Sequence, residues 1–437
     1  MAFLLLLTLN GVFADIASIR EKTIQPNLLC LIEDEETDIL YFPARIALLD
    51  KVRVNFGFHT EEISSIEDKV LVSGFYWPNL YKKLGIGFDG YYAKNKKGWG
   101  MYWDAFNGSG SNAYSESDFL TGGKLNIVYK FNMNFAGFVG LSIIKDSLSS
   151  QGDEREYWRI GNPDYTTSST DYGDFSGEFE DRHQFITGAT GKLGRIGLDF
   201  TISVLNGKRA NNNFWYSQSI QKVWVQSDTI STFYGFDSSE LSHNKNFWGT
   251  EGFLRVSYPL KKNRWLRLFG GGYLDLGNYK RNDKSWYQEK YWSRDSSYLK
   301  EYYEVDSDTV FSYQGYLKIG LGLEERPNDK LLFGLGAMYY AGPEHWDLSF
   351  GVGLEYKFCS WAKIRYGLAP IYSHDLVTQV YRSNFGWDEV VKFLESFDFS
   401  HRIGIGLSLS DWCRVDLLCS ANFAELKNIE TGLIFLF

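Results

Sequence analysis

The sequence predicts an all-β protein: a transmembrane antiparallel β-barrel of about 16 strands, with about 14 and about 18 as the neighbouring options. Three observations predict it. Segments of about ten residues, the length a tilted strand needs to cross a bilayer, alternate between apolar and polar side chains. The connections between these segments alternate between very short and long. The chain ends on an alternating strand whose last residue is Phe437.

Residues 346–358 show the alternation best. Trp346, Leu348, Phe350, Val352, Leu354, Tyr356 and Phe358 share one parity, and Asp347, Ser349, Gly351, Gly353, Glu355 and Lys357 share the other. Successive side chains of a strand point to opposite faces. One face is therefore apolar with aromatics at both ends, as lipid and its two interfaces require. The other suits a wet lumen.

Composition agrees. The chain carries 29 Tyr, 33 Phe and 14 Trp but only 8 Pro, which favours one large β domain over several soluble units. The mean hydropathy of −0.28 excludes a helical membrane protein, whereas a barrel hides its apolar surface in alternation. A net charge of −9 argues against a nucleic-acid partner.

Residues 1–14 read as a secretory signal, with an apolar core from Phe3 to Leu9 and a cut after Ala14, although no Lys or Arg precedes the core. Residues 15–46 form a polar lead-in, an apolar patch and the acidic run 33–38, which reads as a solvated surface. This segment is either a periplasmic lead-in or a plug. Residues 47–437 form the barrel. Cys30, Cys359, Cys413 and Cys419 make no C-x-x-C pair, so no zinc ribbon or redox motif is expected. Cys359 and Cys413 fall in short turns on the same rim, where a disulfide between them is an open option.

Candidate strands follow in order at 51–58, 70–77, 84–93, 99–106, 118–131, 135–147, 182–193, 195–207, 247–260, 264–277, 311–324, 330–340, 346–358, 362–372, 401–409, 415–423 and 429–437. The pair Pro78-Asn79 and residues 94–98 read as turns. Short turns lie at 132–134, 194, 261–263, 326–329, 359–361 and 410–414, and longer connections at 148–181, 208–246, 278–310 and 373–398. Within the last, 388–394 reads as a short helical stretch. Short periplasmic turns opposite long extracellular loops are the topology of membrane barrels. The candidate strands number seventeen, whereas single-chain bacterial barrels have an even number. The conflict lies before residue 119.

The final strand resembles the assembly signal of bacterial outer-membrane, porin-like barrels: Phe437, Phe435, Leu433 and Ile429 alternate toward a terminal Phe. This resemblance implies an outer-membrane location, contact with outer-membrane lipid and recognition of Phe437 by the barrel assembly machinery. The stretch Asp38-Ile-Leu-Tyr-Phe-Pro43-Ala44 resembles the N-terminal segment of the long-chain fatty-acid channel family. There an acidic stretch and an aromatic precede Asn-Pro-Ala, and the segment plugs the barrel. Here Phe42 stands at the Asn position.

Parity places Lys51, Arg53, Asp89, Lys124, Asp199, Arg255 and Arg267 toward the lumen, with Asp275, Lys318, Glu324, Asp347, Glu355, Lys357 and Arg365. Mixed signs of charge suit either a conducting lumen or a rigid, self-paired one. Glycines on the same parity, such as Gly320 and Gly322, leave room for water or an inserted segment. Trp286, Tyr287, Tyr291 and Trp292 are candidate ligand-binding aromatics of a long loop. His183 and His374 lie near predicted outer rims, but no G-x-S-x-G or H-E-x-x-H motif accompanies them, so no catalytic residue, metal or cofactor is assigned. The expectation is a non-enzymatic channel for small solutes or an apolar ligand. An interaction barrel with partner-binding aromatic loops is the alternative, and a rim-sited hydrolase the third reading.

Overall fold

The computed structural model describes residues 31–437 apart from 61–68, 106–107, 161–164, 226–227, 294–295, 344, 384–385 and 423–424. The expected signal sequence, residues 1–14, and Cys30 lie outside the described residues. Sixteen strands are described: β1 (Arg53–Thr60), β2 (Lys69–Tyr81), β3 (Leu84–Ala105), β4 (Gly108–Asn132), β5 (Phe135–Ile160), β6 (Tyr165–Leu193), β7 (Ile196–Val225), β8 (Asp228–Lys261), β9 (Arg264–Ser293), β10 (Ser297–Asn328), β11 (Leu331–Ala341), β12 (His345–Lys357), β13 (Ala362–Ser383), β14 (Gly386–Ser410), β15 (Cys413–Asn422) and β16 (Glu425–Leu436). Each pairs antiparallel with its sequence neighbours, and β1 pairs with β16 to close the barrel. At the level of the apolar belt closure leaves no strand edge open to lipid, as a bilayer demands, whereas residues 95–105 of β3 and 297–316 of β10 pair on one side only among the described residues. The closing seam runs from Arg53 opposite Leu436 to Thr60 opposite Ile429. Beyond it, the Phe437 N–H donates to the Val52 carbonyl at 2.9 Å.

The alternation has its expected physical result. Along β12, Phe350, Val352, Leu354 and Tyr356 are exposed, while Ser349, Gly351, Gly353 and Glu355 between them are buried. The same inversion recurs along β7, where Phe200, Ile202 and Val204 face out and Asp199, Thr201 and Ser203 face in. An apolar belt outside and a polar interior is the arrangement lipid stabilises. The closed ladder and this belt define an outer-membrane β-barrel, located in the bacterial outer membrane.

The structure corrects several sequence expectations. Residues 84–93 and 99–106 do not form separate strands: β3 runs through 94–98, which pair with 115–119 of β4. The odd count of seventeen thus becomes sixteen. Pro78-Asn79 is not the turn; β2 continues to Tyr81 with a shifted register after Trp77, a place a proline tolerates. The chain turns at Lys82 and Lys83 instead, Lys82 taking a φ of 51°. Residues 388–394 belong to β14 and pair with β13 rather than forming a helix. Most of the long connections are strand as well: β8 has 34 residues and β11 only 11. Above the bilayer both faces of the sheet meet water, so the alternation that reveals a strand is lost. The barrel is therefore lopsided, tall from β3 to β10 and low along β11, β12, β15, β16, β1 and β2. Cys359, Cys413 and Cys419 are free thiols, so no disulfide joins Cys359 to Cys413.

Candidate functional site

The lumen holds the N-terminal segment. Helix α1 (Glu35–Tyr41) and a 3-10 turn (Pro43–Leu48) lie inside the barrel. Local sequence explains both. The Asp34 carboxylate accepts the Thr37 N–H at 3.1 Å, the hydrogen bond of an N-cap. Pro43, at the start of the 3-10 turn, cannot extend α1 and is preorganised for the new turn. At the far end of α1, Lys124 Nζ donates to the Leu40 carbonyl at 3.0 Å, a cation where unpaired helix carbonyls collect.

The segment crosses the lumen. Ile39, Ala44, Ile46 and Ala47 pack on Tyr76, Val128, Ala136, Phe138 and Ile186 of β2, β4, β5 and β6. Leu31, Tyr41 and Phe42 pack on Phe269 of β9 and Met338 of β11, and Ile32 packs on Leu332 of β11. Two inward glycines make this approach feasible. A Cβ at Gly87 would strike Ile46, and one at Gly322 would lie 2.7 Å from Leu31 Cβ and 2.9 Å from its carbonyl oxygen.

Buried charges fasten it. Arg45 grips Asp199 of β7 with a two-pronged fork at 2.9 and 3.0 Å. Arg255 of β8 bonds the same carboxylate from Nε at 3.0 Å and reaches Asp38 of α1 with another nitrogen. Arg45 also lies 3.2 Å from Asp38, which closes a four-member ring of alternating charge. Thr190 adds a hydrogen bond to Asp199. Thr201 donates to the Tyr41 carbonyl at 2.7 Å. Near Leu31, Glu324 accepts the Glu33 N–H at 2.9 Å while pairing with Arg267 at 2.5 Å and Arg326 at 2.8 Å. Two acids of the run 33–38, Asp34 and Asp38, are thus buried rather than solvated, while Glu33 is exposed.

A second charged cluster joins strands of the wall. Arg365 of β13 bonds Glu355 of β12 at 2.7 Å and Asp416 of β15 at 2.6 Å, and Arg414 bonds Asp416 at 2.8 Å. The other lumen candidates are spread more widely. Arg53 and Asp89 are buried, and Asp89 accepts the Tyr76 hydroxyl. Asp275 pairs with Lys245 at 2.5 Å. Lys318 sits over the rings of Tyr316 and Tyr340. Asp347 holds His345 Nε2 at 2.7 Å, and Asp375 holds its Nδ1 at 2.5 Å. Lys357 is half-buried at the end of β12, whereas Lys51 precedes β1 and is exposed at the rim rather than lining the lumen.

An aromatic wall faces the segment. Tyr41 stands edge-on to Phe253 and Phe269, with centroids 5.2 and 6.4 Å away. Tyr273, Tyr316 and Tyr340 continue the wall across β9, β10 and β11 at spacings of 5.7 and 5.6 Å. Sequence parity missed this wall, along with the charged ring and the His345 clasp. The usable signal was apolar residues on the polar parity. Val128 lies between Asn126 and Lys130, and Phe269 between Arg267 and Gly271.

The four loop aromatics form no common site. All lie on β9, where Trp286 and Trp292 take the outer parity and Tyr287 and Tyr291 the inner. Trp286 contacts Phe236, and Tyr291 stacks on Tyr298 at 5.6 Å. Tyr298 and Tyr287 both donate to Glu289, and these bonds hold its carboxyl below the usual carboxylate range. Of the rim histidines, His183 faces outward beside Asp181 at 3.3 Å, and His374 stacks on Trp346 at 5.3 Å.

No family model matches the chain, and no curated protein does. Among solved structures, a Pseudomonas aeruginosa FadL homologue is 10% identical over 95% of this chain and 97% of its own, with a TM-score of 0.39. The Pseudomonas putida toluene transporter TodX is 8% identical over 96% and 97%, with a TM-score of 0.36. BauA, the ferric preacinetobactin receptor of Acinetobacter baumannii, is 7% identical over 89% and 80%, with a TM-score of 0.31. The assignment as a barrel rests on the closed ladder and the lipid-facing belt, not on these neighbours.

Proposed function

We propose that this protein is an outer-membrane channel whose N-terminal segment is its gate, passing a small apolar ligand. One observation carries the proposal: residues 31–48 cross the lumen, tied to strands from β2 to β11. A wall of about 16 strands is wide enough for an aqueous channel, so an obstruction inside it has something to obstruct. The ligand class follows from the surface beside the gate. Phe253, Phe269, Tyr316 and Tyr340 offer an apolar bed next to Tyr41, and a ligand lodged there would compete with Tyr41 for Phe253.

Single-channel conductance of the refolded barrel, with and without residues 15–46, tests this. Silence in the full chain and conductance after truncation is the expected result. High conductance in both forms would make the segment a mere lead-in and the barrel a general pore. Silence in both would remove the channel. The tall β3–β10 side would then favour the second reading, a barrel that binds a partner through exposed aromatics such as Trp292 and Tyr303.

A further inference from the structure

The periplasmic rim carries charge opposite to that of the whole chain. The protein is acidic, with a formal net charge of −9. Its short-turn end is basic. Lys82 and Lys83 join β2 to β3, Lys192 and Arg195 flank the β6–β7 turn, Lys261 and Lys262 lie at the β8–β9 turn, and Lys330 precedes β11. All seven are exposed. Among the described residues, none of them has a carboxylate within ion-pair distance. Lys83 reaches the Phe131 carbonyl at 3.0 Å, and Lys82 lies 5.2 Å from the centre of the Tyr81 ring. Asp329 is the one acid in these four turns, too little to balance them.

Position relative to the apolar belt decides what such cations meet. Three of the four basic turns adjoin an apolar side chain left bare by the protein: Tyr81 is 65% exposed, Leu193 72% and Leu260 47%. Lipid tails cover such residues, so the cations next to them stand at the level of the headgroup phosphates. Their distribution matters as much. They are spread over four turns between β2 and β11 rather than gathered in one patch. A docked protein would touch one sector of the rim, whereas lipid surrounds it.

We propose that this rim selects anionic phospholipid of the phosphatidylglycerol type from the inner leaflet of the outer membrane. The phosphate and the net negative headgroup meet lysines that have no internal carboxylate. Neutral phosphatidylethanolamine brings an ammonium that the same lysines repel. The preference is about fivefold for each engaged cation and weakens as salt rises.

The test uses the full-length barrel in vesicles of phosphatidylethanolamine mixed with phosphatidylglycerol, with lipids retained after extraction counted by native mass spectrometry. Wild type is expected to retain phosphatidylglycerol above its share of the vesicle. The variant K82Q/K83Q/K261Q/K262Q should lose most of that enrichment, and the same four positions changed to Arg should keep it. Heat-modifiable migration on a gel shows that each variant still closes its barrel. Equal retention of both lipids by wild type overturns the proposal, as does full enrichment in the Gln variant. If lipid retention is unchanged but the Gln variant loses an acidic periplasmic protein held by wild type, the rim is a protein dock and the lipid proposal falls.

Discussion

Two buried arginines make a useful comparison. Among the described residues Arg255 and Arg365 are the largest side chains fully shielded from water, and each is held by two carboxylates. Their partners differ in kind. Arg255 joins β8 to β7 and to Asp38 of α1, so it links the wall to an element that the barrel merely contains. Arg365 joins β13 to β12 and β15, all members of the wall. Identical chemistry therefore does two jobs. Around Arg365 it braces strands that the backbone ladder already fixes. Around Arg255 it supplies docking energy to a segment that shares no ladder with the barrel.

Breaking each cluster should separate these jobs. Arg255→Met leaves Asp38 and Asp199 buried with Arg45 as their remaining cation, a loss of about 3–5 kcal/mol. The expected outcome is faster hydrogen exchange throughout residues 31–48 and the appearance of conductance in planar bilayers. Arg365→Met carries a similar local cost of about 3–5 kcal/mol, but the wall bears it. The urea midpoint of the barrel should fall while exchange in residues 31–48 stays at the wild-type level. Equal opening of the segment in both variants would mean that the clusters are not separable.

Smaller changes sharpen the contrast. Gly322→Ala places a methyl against the Leu31 backbone and should cost docking about 1–3 kcal/mol with no change in the urea midpoint. Exchange at residues 31–34 against the rest of the segment checks it. The smallest effect is expected far from the N-terminal segment. Tyr298→Phe removes the chief hydrogen bond that lowers the Glu289 carboxyl, so that group should titrate at higher pH by carbon NMR. Because its pKa is lowered in the folded state, Glu289 supports the β9–β10 hairpin above the ordinary carboxylate range. That support is lost as pH falls through the folded value, and Tyr298→Phe narrows the window.

Which parts of this were legible in the sequence follows from range. Inside the bilayer, each residue's face is set by its immediate neighbours, so parity along 346–358 placed lipid and lumen sides correctly. Above the bilayer the rule stops, because water bathes both faces. Polar stretches such as 278–310 then looked like loops although they pair residue by residue. The ties that hold the N-terminal segment were hidden for another reason. Asp38 and Arg255 are 217 residues apart, and no local pattern connects them. Asp38 also sits in an acidic run whose ordinary fate is solvent. Beside the resemblance of residues 38–44 to a plug and the room left by Gly320 and Gly322, the apolar residues on the polar parity, Val128, Phe269 and their kind, recorded that something occupies the lumen.

The seam between β1 and β16 has a consequence for the order of assembly. Every other pairing joins strands adjacent in sequence, so hairpins can accrue one at a time with only local loop closure. The seam joins the two ends of the chain and comprises eight residue pairs, from Arg53–Leu436 to Thr60–Ile429. Until it zips, the growing sheet is an open cup. The open cup offers its inner face to the N-terminal segment from the side, whereas the closed barrel admits it only through a mouth, so docking is easiest before the seam zips. The clasp that completes the wall thus also surrounds its contents, and the pairing of β16 with β1 sets when residues 31–48 are enclosed on every side.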